Sequence, residues 1–185
     1  VTYLISSNSP IYVAPTSDFR LVAQQKLFGF LPLPILYTIF FGLIASFILK
    51  KTVLGRHIFA IGSNDEAARL SGINLPVVRT MAYTLGSTFA AIAGVLYAAR
   101  VNSGNPTAGA GYEGNAVVAT VLGGTSMAGG HGSISSAVIG AILMTLLQNG
   151  FNLMNVNTNY QMILTGVILI ISVVADRIRR EKAMS

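Results

Sequence analysis

Long apolar runs alternate with short polar breaks along this chain. Residues 33–49, "LPILYTIFFGLIASFIL", run without a charge and stop at Lys50-Lys51. Residues 80–99, "TMAYTLGSTFAAIAGVLYAA", form a second run bracketed by Arg79 and Arg100. Two more follow at 134–153 and 160–175, the last stopped by Asp176-Arg177. A helix needs about 20 apolar residues to cross a bilayer, with about 17 tolerated, so these runs predict spanning helices. The stretch 115–130, "NAVVATVLGGTSMAGG", is apolar but broken by glycine. Residues 7–32, with Pro10, Pro15, Pro32, Asp18, Arg20 and Lys26, predict a structured external segment with a short interfacial helix. Residues 1–6 read as the end of an earlier span.

Charge placement decides the ambiguous stretch. Lys50, Lys51, Arg56, Arg69 and Arg79 cluster in the loop 50–79, and Arg177, Arg179, Arg180 and Lys182 cluster in the tail 176–185. Basic residues mark the cytoplasmic side, so loop and tail should share it, which requires an even number of crossings between them. Three clear runs lie between, and 115–130 should therefore cross too, as a short or broken helix shielded by its neighbours. His131 then falls inside and residues 154–159 outside. The predicted fold class is an all-α polytopic transmembrane helix bundle with about five spans: 33–49, 80–99, 115–130, 134–153 and 160–175.

Composition supports this. Only 10% of the 185 residues are charged and 52% are hydrophobic, against roughly a quarter charged in soluble domains. No Asp, Glu, Lys or Arg lies between Glu113 and Asp176. The net charge of +6 follows membrane topology, and no nucleic-acid partner is expected. Without cysteine the chain has no disulfides and no thiolate metal sites. It opens at Val1 with no signal-peptide pattern and reads as a piece of a longer protein.

The loop 50–79 holds "IGSNDEAARLSGINLP" at 61–76, a polar island between apolar runs. Ser63 and Glu66 have the spacing of a capping box. Asp65 and Arg69 stand at i,i+4 in the favourable order. Gly72 suits the left-handed position that closes a helix, and Asn74 and Pro76 open the next span. The pattern predicts a helix of about two turns, offering Ala67, Ala68, Leu70 and Ile73 as small apolar contacts. Alone it is too short to be stable, so it must dock.

Other motifs carry less chemistry. Ala82, Gly86, Ala90, Gly94 and Ala98 line one helix face, as a close-packing seam or as the side of a substrate path. "GAGYEG" (109–114) has the letters of a dinucleotide fingerprint, but no strand precedes it and Glu113 would face the pyrophosphate. "GGTSMAGGHGS" (123–133) lacks the lysine of a phosphate loop. Glu113, the only acid in 67–175, serves either as a structural cap or in translocation. His57 and His131 have too few partners to hold a metal. No nucleophile and base or acid pair stands out, so the chain is not expected to be an enzyme, and no cofactor is expected.

"GRHIFAIGSNDEAARLSGINLPVVR" (55–79) resembles the cytoplasmic coupling loop of the ribose-type sugar permeases of binding-protein-dependent ABC importers. "AGVLYAARVNSGNPTAGAGYEGNAVVATVLGGTSMAGGHGSISSAVIGA" (93–141), "NGFNLMNVNTNYQMILTGVILIISVVAD" (149–176) and "SPIYVAP" (9–15) continue the likeness, which covers essentially the whole chain as the C-terminal half of such a permease. The chain departs from the family wording at Ser63, Gly114-Asn115 and His131. The resemblance implies a pathway built by two permease subunits, identical or different, with an ABC ATPase subunit bound inside and a periplasmic sugar-binding protein outside. It implies a multi-pass protein of the bacterial inner membrane with a cytoplasmic C-terminus, ATP hydrolysis belonging to the partner. It places the ATPase-coupling contact at Asp65, Glu66, Ala67, Ala68, Arg69, Leu70, Gly72 and Ile73, with Glu66, Ala68 and Gly72 central. The candidates for the translocation path are Glu113, Asn115, Gly123, Gly124, Thr125 and Ser126. The rivals are a branched-chain amino-acid ABC permease, and a secondary transporter, which would need an ionisable site at mid-membrane.

Overall fold

The computed structural model describes residues 11–12, 19, 21–27, 29 and 31–184. The expected end of a span at 1–6 lies outside the described residues, as do Pro10, Pro15, Asp18 and Arg20. The chain forms two compact units, one of Val1–Ala45 with Pro76–Ala110 and one of Ser46–Leu75 with Gly111–Ser185. In chain order the elements are β1 (Ile11–Tyr12), α1 (Leu21–Gln24), β2 (Lys26–Leu27), β3 (Leu31–Pro32) and α2 (Leu33–Lys51). Then come α3 (Val53–Ser63), α4 (Asp65–Leu70), α5 (Leu75–Val101), β4 (Ser103–Gly104), α6 (Tyr112–Leu122), α7 (Ile134–Leu153) and α8 (Thr158–Met184).

The four clear apolar runs are helices of spanning length: α2, α5, α7 and residues Thr158–Ile178 of α8. Each runs at or a little past the apolar residues that predict it, because the helix continues into its charged ends. Their surfaces suit lipid and not water. Leu43 on α2 is 67% exposed, and Phe40, Phe47, Ile163, Ile170 and Ile171 are similarly bare. Bare apolar surface of this extent is untenable in a soluble monomer, whereas a bilayer solvates it.

In the first unit, β1 pairs antiparallel with β4, Tyr12 opposite Ser103, and β2 with β3 form a small hairpin turning at Gly29. Gln24 Nε2 donates to the Arg100 carbonyl at 3.0 Å, satisfying one of the acceptors left open at the end of α5. Phe41 of α2 meets Phe89 of α5 edge to face, ring centroids 6.1 Å apart. The segment preceding α2 is thus tied to the end of α5.

The second unit holds the tightest packing. Val118 and Ala119 of α6 and Met144 of α7 form a buried cluster, with Ile168 and Leu169 of α8 against it. Glycine makes it possible: a Cβ on Gly140 would overlap the Ala119 carbonyl oxygen, and one on Gly123 that of Ser136. The expected seam on α5 makes no such contact, since a Cβ on Gly86 or Gly94 meets nothing within 4 Å. Spacing by four marks a face where backbones could approach, but within this chain the approach is made by α6 and α7. Within the expected span 115–130 the helix ends at Leu122. Gly124, at φ +97°, accommodates the left-handed closure there. Thr125 N–H bonds the Thr120 carbonyl and Gly124 N–H that of Val121, the paired bonds of a Schellman stop.

Candidate functional site

The polar island becomes two helices. Thr52 caps α3, its hydroxyl accepting from Gly55 N–H at 3.2 Å and donating to the Ile48 carbonyl at 2.6 Å. Gly55 is required here, for a Cβ would overlap the Leu49 carbonyl oxygen. Leu54, Ile58 and Ile61, spaced i, i+4, i+7, are half-buried while Arg56 is exposed, so α3 is amphipathic. Sequence reading left 53–62 as loop, since two glycines and β-branched residues lower helix propensity. Its usable signals were Thr52 and that apolar spacing.

Asn64 joins α3 to α4, ending the first and capping the second: its Oδ1 accepts from Ala67 N–H at 3.0 Å. This corrects the capping box. Ser63 is the last residue of α3, Glu66 stands at the second helical position, and the third is Ala67, which cannot reach back. Asn caps as well as Ser does, so the register slips by one residue. Glu66 pairs with Arg69 at 2.7 Å, an exposed pair worth little stability. The C-terminus closes as expected. Gly72 has φ +83°, with Gly72 N–H on the Arg69 carbonyl and Ile73 N–H on the Ala68 carbonyl, 3.0 and 3.1 Å.

The island's side chains divide by face. Ala68 is 4% exposed and turns inward, while Leu70 is 78% exposed. Asp65, Glu66, Ala67 and Arg69 are exposed, and Ile73 is half-buried. Ala68 therefore seats α4 on the chain, and Leu70 is the apolar group offered outward.

The residues expected along the path differ in burial and in role. Glu113 is exposed in the first turn of α6, where a carboxylate suits the helix dipole, and Asn115 is half-buried beside it. Gly123 packs on Ser136, and Gly124 forms the helix stop. Thr125 lies beside Gly132, whose added Cβ would fall 2.9 Å from Thr125 Cγ2. Ser126 is buried, its hydroxyl donating to Asp176 Oδ2 at 3.1 Å. That bond, across fifty residues, has no sequence signal beyond the isolation of Asp176 after a long uncharged stretch. On α5, Thr80, Tyr83, Thr84, Ser87, Thr88 and Ala91 line a shallow, mostly apolar groove, in which the Thr84 and Thr88 hydroxyls donate to the Thr80 and Thr84 carbonyls.

The family model described as branched-chain amino acid transport system / permease component matches residues 3–173. The ribose import permease protein RbsC of Escherichia coli K12 is 40% identical over 184 residues, covering 95% of this chain and 56% of its own. The L-arabinose transport system permease protein AraH of the same strain is 39% identical, covering 98% and 55%. The xylose transport system permease protein XylH of Haemophilus influenzae is 39% identical over 152 residues, 82% and 40%. The chain spans about half the length of the curated relatives it matches. No solved structure matches. With four helices of spanning length and a family match over nearly the whole chain, this protein belongs to the permease-component family of the branched-chain amino acid transport system type, whose members include these sugar permeases.

Proposed function

We propose that the chain is the C-terminal half of the membrane-spanning subunit of an ATP-driven importer of a monosaccharide. A periplasmic sugar-binding protein delivers the substrate, a second permease subunit completes the path, and a separate ABC ATPase supplies the energy. The observation that carries this reading is the identity of 39–40% to permeases named for ribose, arabinose and xylose. The family description bears the name of amino-acid transport, but the individual relatives quoted are sugar permeases, which favours sugar. The absence of charge between Glu113 and Asp176 leaves no Asp, Glu, Lys or Arg in α7 or in α8 before Asp176, which disfavours a secondary transporter with a mid-membrane coupling site.

In this reading the membrane is the bacterial inner membrane, with the basic loop and the tail in the cytoplasm. The crossing by α6 and the irregular residues 123–133 keeps the count even. Burial of Val118, Ala119, Val121 and Ser126 supports it, because irregular backbone at depth needs protein around it. α4 is the ATPase contact, presenting Leu70 beside Asp65, Glu66, Ala67 and Arg69, with Ala68, Gly72 and Ile73 holding it in place. Glu113 and Asn115 offer hydrogen-bonding groups to a polyhydroxyl solute. Gly123, Gly124, Thr125 and Ser126 shape the inner end of the path.

The test is ATPase co-purification together with uptake of labelled D-ribose, D-xylose and L-arabinose by vesicles carrying the full-length permease. Leu70→Asp places a charge where an apolar contact is expected and leaves the fold intact, since the site is bare. Burying one leucine supplies about 1.5–3 kcal/mol, so ATPase retention should fall about tenfold or more. Normal retention and uptake in this variant would remove α4 from the ATPase contact. Uptake of none of the three sugars by the wild type would remove the sugar reading.

A further inference from the structure

Three contacts in the second unit connect α4 to the last spanning helix. The first is between backbones. The end of α3, which passes through Asn64 directly into α4, lies against the turn Gly129-Gly130. A Cβ on Gly62 would fall 2.7 Å from Gly130 N, a Cβ on Gly130 3.0 Å from Ser63 Cα, and one on Gly129 would overlap the Gly62 carbonyl oxygen. Both turn glycines have left-handed backbone, φ +88° and +75°, which L side chains rarely adopt. Apart from Ser63 Cβ the nearest atoms at this joint are backbone, so a movement of α3 reaches the turn directly.

The second contact makes the turn a unit. Gly129 N–H donates to the Ser126 carbonyl at 3.2 Å and Ser126 N–H to the His131 carbonyl at 3.1 Å. Ala128 N–H donates to Ser126 Oγ at 3.2 Å. Ser126 is 8% exposed. The third contact leaves the turn: the same Oγ donates to Asp176 Oδ2 on α8 at 3.1 Å. Holding a helix end could be done with apolar packing, as elsewhere between Glu113 and Asp176. A hydrogen bond to a carboxylate is stronger and more directional than a neutral one.

We propose that Ser126 and Asp176 are positioning residues that fasten α8 to the glycine turn, so that a displacement of α4 by the ATPase is passed to the last spanning helix. This rests on the reading of α4 as the ATPase contact. Coupling between two sites needs an element whose contacts favour one of two states, and a charge-assisted bond at a turn held by its own backbone bonds is such a contact. The path runs from α4 through the end of α3 to Gly129-Gly130, then through Ser126 to Asp176.

The measurement is labelled pentose taken up per ATP hydrolysed, in vesicles with the full-length permease, its ATPase and its binding protein. Ser126→Ala removes the donor. It should retain the ATPase and its hydrolysis while uptake per ATP falls about tenfold, within the range of known allosteric couplings. Ser126→Thr keeps the hydroxyl and should keep the ratio, a rescue that loss of packing alone does not predict. If Ser126→Ala does not accumulate, Asp176→Glu gives the reading, because it retains charge and acceptor but shifts them by one methylene. A wild-type ratio in Ser126→Ala, or in Asp176→Glu where that variant is the one read, overturns the proposal. If the wild type retains no ATPase, or Leu70→Asp retains it fully, the reading of α4 fails and the proposal with it. If Leu70→Asp loses the ATPase while the Ser126→Ala ratio is unchanged, only the fastening fails.

Discussion

Gly140→Ala adds one methyl group at the closest approach of α6 and α7. Its Cβ would overlap the Ala119 carbonyl oxygen and lie 2.7 Å from Gly123 N and 3.0 Å from Ala119 C. All three neighbours are backbone, so no rotamer change makes room. Reaching about 3.4 Å from Gly123 N alone requires about 0.7 Å of separation, a gap at which atom pairs forfeit a quarter to a half of their dispersion attraction. The pairs at risk belong to the Val118, Ala119 and Met144 cluster. Overpacking costs about 1–3 kcal/mol, and a rigid backbone neighbour argues for the upper end. Replacing glycine by alanine in a helix returns about 1 kcal/mol, leaving a net loss of about 2 kcal/mol. The assay is unfolding of the full-length permease by SDS titration in mixed micelles, followed by circular dichroism. Gly94→Ala is the control, since its methyl enters open space. A Gly140→Ala midpoint equal to the wild type's, or a larger loss in Gly94→Ala, would refute the close approach.

Other expectations are testable in the same preparations. Asn102 has φ +56° and a buried Oδ1 without a hydrogen-bond partner. Asn102→Gly should therefore stabilise by about 1 kcal/mol, read as a higher SDS midpoint, and a lower one would show the side chain in use. Asn155, at φ +54°, closes α7 through bonds from Asn155 N–H to the Asn152 carbonyl and from Val156 N–H to that of Phe151. Asn155→Val should cost about 1–2 kcal/mol in the same assay, and no loss would contradict a left-handed stop. With no native cysteine in this chain, Asn157→Cys in intact cells should react with an impermeant thiol reagent while Arg69→Cys is spared. Equal labelling would overturn the proposed sidedness.

Helices α2, α5, α7 and α8 were legible because each needs only length and apolar composition, and the charges at 50–51, 79, 100 and 176–177 punctuate them. Gly72 was legible for a local reason too, since a left-handed stop after two turns leaves few residue choices. What escaped was set by contacts distant in sequence. Ser63 and Asn64 are near-equal caps, and the contact of the end of α3 with Gly129-Gly130 accompanies the register in which Asn64 caps. Ala68 and Leu70 look alike as apolar contacts, and only the packing of α4 on α3 turns one inward and the other out. The spacing of Gly86 and Gly94 equals that of any close-packing face, while Gly123 and Gly140 carry no shared period because one follows the end of α6 and the other lies within α7. Ser126 and Asp176 lie fifty residues apart, and nothing local announces their bond.

The brevity of α6 bears on how the protein is made. Eleven residues reach about 16 Å at 1.5 Å per residue, roughly half the hydrocarbon thickness. Glu113, Asn115 and the glycines that follow make unaided partition from the translocon unfavourable. The buried residues of α6 lie against α7 and α8, which leave the ribosome later. A nascent chain ending near residue 133 thus carries this segment without the α7 and α8 contacts that bury it. In the proposed topology, membrane integration of α6 then waits until α7 and α8 have emerged. The order of synthesis, and not the hydrophobicity of α6, then sets when it acquires its position.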